Sequence, residues 1–122
     1  MSDNRDYIVR PGEKGNINIS EDVVAAIAAG AAKETDGVAS LTSSVGKEIA
    51  ELLGKKSVPK GVRITVDGST VTVDVCIIVN YGSPVGTVGE SVQQNVASAV
   101  EGMTGFSVAA VNVHVCGVAM DK

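Results

Sequence analysis

Five aliphatic residues at every second position, Val71, Val73, Val75, Ile77 and Val79, alternate with Thr72, Asp74, Cys76 and Ile78. Strand side chains alternate faces, so the spacing predicts a strand from Thr70 to Val79 with one aliphatic face and one mixed face. Ser107 to Val118 repeats the pattern, with Val111, Val113 and Val115 on one side and Asn112, His114 and Cys116 on the other. Between them the apolar spacing lengthens to that of a helix. Val85, Val88, Val92, Val96, Ala99, Val100 and Met103 form one stripe between Pro84 and Met103. Ser83 and Pro84 are expected as N-cap and first helical residue, with Thr104-Gly105 closing the helix. An aliphatic sheet face and an aliphatic helix stripe bury each other.

The first half of the chain is less regular. Residues 1–14 are polar, carry Pro11-Gly12 and read as a flexible arm. Asn16 to Ile19 alternates as a short strand, and Ser20 is a good N-cap for a helix from Glu21 to about Thr35, with Glu21 and Asp22 favoured at its positive end. That helix is slim, rich in alanine, and buries Val23, Val24, Ile27, Ala28 and Ala31; Asp36-Gly37 stops it. Val38 and Leu41 suggest a short extended stretch, and Lys47 to Leu53 has room for two helical turns before a basic loop. Val62 to Asp67 alternates again, and Asp67-Gly68 turns it into the Thr70 strand as a hairpin. The order is β-α-β-β-α-β. The expected fold is α+β, a two-layer arrangement in which a small mixed β-sheet has two helices packed on one face. Residues 15–118 are expected to form the single domain, followed by a short tail at 119–122.

Composition narrows the functions open to such a domain. The chain has 122 residues, 44% hydrophobic and 20% charged, with no Trp, two Tyr and one Phe. Few aromatics leave little for stacking on bases or sugars, and a formal charge of −4 opposes a phosphate-backbone ligand. No nucleic-acid partner is expected. No stretch approaches the roughly 18 apolar residues of a membrane span, and the N-terminus lacks the pattern of a signal peptide. The expected location is cytoplasmic, with both cysteines reduced and no direct membrane insertion.

Candidate chemistry is sparse. Gly82, Gly86 and Gly89 surround the start of the second helix, a place where anions bind, yet their spacing fits no phosphate-loop motif and no basic residue lies nearby. Close helix–sheet packing is the plainer reading. His114, the one histidine, shares a strand face with Asn112 and Cys116, and strand order decides whether Cys76 and Asp74 join them. Without C-x-x-C or H-x-x-H spacing, no metal site or thiolate site is expected. Scattered carboxylates make no general acid–base pair. Hence no catalytic residues and no cofactor are expected, and the chain reads as no enzyme. Lys47, Lys55, Lys56, Lys60 and Arg63 concentrate positive charge, a candidate contact for an anionic partner or a plain solvated loop. Two helices cover one side of a small sheet. The other side, bearing Thr72, Asp74, Cys76, Ile78, Asn112, His114 and Cys116, is therefore a candidate interaction surface.

Several segments together resemble the bacterial alkaline-shock, or general-stress, proteins of the cell-envelope stress response. They are Gly15 to Ser20 leading into Val23-Val24 and Ala28, Ala31 to Val38, and Lys60 to Val62. Val79 to Gly82, Val92 to Val96, Thr104-Gly105 and Val111 to Val113 continue them in order. The resemblance implies a small cytosolic α+β protein of a Gram-positive bacterium with no known catalytic activity. Some members of that family are held at the membrane by a membrane-anchored relative, and some self-associate. The expected function is therefore a non-enzymatic one in envelope stress, through homo-oligomerisation and a protein partner, for which the resemblance offers a membrane-anchored one. The alternative is an accessory or regulatory subunit of a metabolic enzyme, for example in lipid metabolism.

Overall fold

Every ladder of the main sheet runs through one strand, β5 (Thr70–Asn80). In the computed structural model, which describes residues 7–42 and 61–120, β5 pairs in parallel with β6 (Ser107–Ala119) from Thr70 to Asn80. Since β6 occupies one edge along the whole of β5, two shorter antiparallel strands divide the other. β4 (Val62–Asp67) takes Thr70 to Val75, and β3 (Val38–Leu41) takes Ile77 to Val79. The Asp67-Gly68 hairpin is present, as its turn chemistry predicts. The described elements open with a hairpin of β1 (Tyr7–Gly12) and β2 (Gly15–Ser20), then α1 (Glu21–Lys33), while α2 (Val85–Thr104) joins β5 to β6. This is the expected α+β order, with β1 and β3 added to it.

The two helices cover the aliphatic face. All five odd-numbered residues of β5 from Val71 to Val79 are buried there, together with Val24, Ala28, Ala29 and Ala32 of α1 and Val88, Val92, Val96 and Val100 of α2. Among the described residues, twelve of the eighteen members of this core are valine. Burial of these side chains contributes roughly 25 cal/mol per Å² of apolar surface removed from water. The buried row of α2 recurs every fourth residue, so it winds slowly round the helix and leaves the flanks outside. Val85 and Met103, expected on the stripe, are consequently exposed, as is Val23 of α1.

Local chemistry sets the helix ends. The Ser20 hydroxyl accepts a hydrogen bond from the Val23 amide at 3.3 Å, with Glu21 and Asp22 in the first turn and Lys33 in the last. At α2 the N-cap position is Pro84, with no side-chain cap bond, rather than Ser83. The Ser83 amide instead closes a turn onto the Asn80 carbonyl. Gly105 ends α2 in the left-handed conformation, its amide bonded to the Glu101 carbonyl.

The stretch expected as a loose arm is in part a strand. Ile8, 2% exposed, anchors it in the core, and Arg10 lies over Gly105 at the carbonyl end of α2, where a cation is favoured. One inward residue in six leaves almost no period-two signal to read. The glycines Gly86 and Gly89 also depart from expectation. A methyl group added at either would meet nothing within 4 Å, so close packing is not their reason for being glycine.

Candidate functional site

Parallel pairing in register sets the outer face of the sheet. Asp74 lies beside Asn112 and Cys76 beside His114, with Arg63 of β4 across from Asp74 on its other side. Residues paired in register point to the same face. Two of the residues on β6 bond Asp74. Its Oδ1 accepts from Asn112 Nδ2 at 3.1 Å and meets His114 Nε2 at 3.3 Å. The carboxylate is buried and His114 half-buried, so the contact is better shielded from water than a surface ion pair.

Cys116 is the extra residue of a bulge. Ile77 pairs with Val115 and Ile78 with Gly117, which leaves Cys116 unpaired between them. Its Sγ turns back to within 3.6 Å of the His114 carbonyl, which brings it to the level of Cys76. Gly117 lies beside Ile78, whose Cδ1 would be 3.0 Å from an added methyl. The structure therefore brings together Asp74, Cys76, Asn112, His114 and Cys116, with Thr72 and Ile78 to either side. Of the anionic-partner candidates, Arg63 belongs to this face, while Lys47, Lys55, Lys56 and Lys60 lie outside the described residues, as does the two-turn helix expected at Lys47 to Leu53.

Chemically the site is quiet. Cys76 is fully buried, and burial, with smaller contributions from Cys116 and Asp74, pushes its thiol from an ordinary 9.0 up to about 12. A thiol so raised is a poor nucleophile at neutral pH. No group of three or more His, Cys, Asp or Glu among the described residues is arranged to hold a metal ion. The raised thiol has a consequence for stability. Since the folded state favours the protonated form, that contribution is fully present below about pH 9 and is lost as pH climbs toward 12. Urea titrations at about pH 8 and about pH 10 should show a steeper loss for the parent chain than for Cys76→Ala. Equal losses would mean that Cys76 titrates freely.

A small sheet with both described helices on one face, and a polar cluster on the other, defines the class as an α+β domain of the βαβ type. Two solved structures of MamM CTD variants share this architecture, each with a TM-score of 0.50 at 17% and 18% identity. They match 79% of this chain and 95% and 93% of theirs; at that identity the likeness is one of fold. YqhY of Bacillus subtilis is 33% identical over 107 residues, covering 88% of this chain and 79% of YqhY. Spy1535 of Streptococcus pyogenes is 37% identical over 109 residues, covering 88% and 82% respectively. Residues 10–120 match the alkaline shock protein 23 family, of cell envelope-related function, and the chain belongs to that family.

Proposed function

We propose that this protein is a non-enzymatic component of the cell-envelope stress response, acting by self-association and by binding a protein partner through the outer face of its sheet. Membership of a family with a cell envelope-related function supports the setting. The observation that carries the rest is the placement of both described helices on one face of the sheet. The opposite face presents half-buried Ile78, Thr72, His114 and Cys116 around a buried carboxylate. Apolar and bonded polar groups in one patch suit a protein surface better than water. The raised Cys76 thiol supports a binding role over a nucleophilic one. In this reading any contact with the membrane runs through that partner; no described helix is long and apolar enough to cross a bilayer.

Ile78 is the residue to test. An Ile78→Lys variant places a charge at one end of the patch without touching the helix-covered core. Light scattering should show assemblies of the parent chain reduced to single chains, with the circular dichroism spectrum unchanged. Assemblies of undiminished mass in a folded variant would remove this face from the account.

A further inference from the structure

The geometry points to Cys76 and Cys116 as a modification site, an intrachain dithiol that a peroxide converts to a disulfide between β5 and β6. Both cysteines are free. They stand on adjacent strands and on the same outer face, and neighbouring strands lie about 4.8 Å apart, so a Cys116 side chain that folds back along β6 comes into reach of Cys76. Regular pairing would set Cys116 past Cys76 along the strand, since the cross-strand partner of Cys76 is His114. The bulge alters that. As the unpaired residue, Cys116 is released from the ladder, and its sulfur folds back to 3.6 Å from the His114 carbonyl. There it lies level with Cys76, the cross-strand partner of His114.

Exposure divides the roles. Cys116 is half-buried and reachable by a small oxidant, whereas Cys76 is fully buried. The Cys116 sulfur attacks one oxygen of the peroxide, breaking the O–O bond to give Cys116 sulfenic acid and releasing water or an alcohol. The Cys76 thiol then attacks that sulfur, the S–O bond breaks, and the hydroxyl leaves with the thiol proton as a second water. Two thiols lose two electrons, and the peroxide gains them. Burial of the second thiol keeps its thiolate scarce, so the closing step is slow at neutral pH and quickens as pH rises. Closure pins the bulge of β6 to β5 beside Ile78. The inference stands whether or not that face associates.

The test uses the whole reduced chain and hydrogen peroxide. After oxidation, unfolding and alkylation, the intact mass should be lower by two hydrogens, with neither cysteine alkylated, and dithiothreitol should restore both thiols. The oxidised protein should also unfold several degrees above the reduced one, because the bond restricts the unfolded chain. In a Cys116→Ser variant, shown to be folded by circular dichroism, Cys76 should stay reduced through the same treatment. In Cys76→Ala, Cys116 should stop at a sulfenic acid that dimedone traps. Cys116 proceeding to sulfinic acid while Cys76 stays alkylatable would overturn the proposal. So would a disulfide joining Cys116 residues of two chains.

Discussion

Replacement of Phe106 by alanine is expected to lower the unfolding free energy by about 3–5 kcal/mol, measured as a lower urea midpoint at unchanged slope. Phe106 is the one phenylalanine of the chain and is 2% exposed. Its backbone cannot move to close the void. The Phe106 amide donates to the Thr104 hydroxyl at 3.1 Å, which in turn donates to the Val100 carbonyl at 2.6 Å. Nor do its neighbours in the core refill it well, since valine and alanine are short and the valines are stiff at χ1. Against a total of roughly 5–15 kcal/mol, such a loss brings a domain of this size near its threshold. Phe106→Leu, which keeps most of the volume, should cost less than half as much. If the two variants cost alike, the loss is not one of buried volume.

Gly61→Ala is expected to destabilise by about 2–5 kcal/mol, an unusual cost for one methyl group. Gly61 has a φ of 80°, where an alanine pays about 1–2 kcal/mol. Its added Cβ would also fall 2.9 Å from the Leu41 Cβ and 3.0 Å from both the amide and the carbonyl oxygen of Thr42. Backbone cannot step aside as a side chain can, so a crowding cost of about 1–3 kcal/mol adds to the first. The reason lies in the sheet. β3 and β4 share one edge of β5 end to end, and Gly61 sits where the start of one meets the end of the other. Gly89→Ala is the control. In α2, with open space around it, the same change should stabilise by up to about 1 kcal/mol. Thermal melts of both variants decide the matter, and a mild effect at Gly61 would mean that β3 and β4 are not wedged together.

The elements of the second half were legible because their patterns were pure. Thr70 to Val79 and Val111 to Cys116 alternate cleanly, and the structure extends each of the two predicted strands by one residue. The helix between them starts and ends within a residue of its predicted bounds. β1 was not legible, because Ile8 alone faces inward and Pro11-Gly12 looks like a breaker. Nor was the double use of β5, since periodicity reports how a strand is buried and not how many neighbours share its edge. At the site, alternation put Asn112, His114 and Cys116 on one face correctly. Which of them meets Asp74 or Cys76 depended on the parallel register, and the bulge that frees Cys116 shows in the residue pattern only as the three-residue step from Val115 to Val118. Gly117, packed against Ile78, lies within that step.

The valine core carries a consequence of its own. A β-branched side chain in a helix or strand already keeps close to a single χ1 well, so Val92, Val96 and their partners surrender little rotamer freedom when they pack. A core of leucine or methionine would start from more conformers and lose more of them. The order of this interior is thus obtained with little side-chain entropy given up. The same stiffness leaves few alternative rotamers with which to accommodate an added methylene, so the interior is better suited to holding one shape than to adapting to a second.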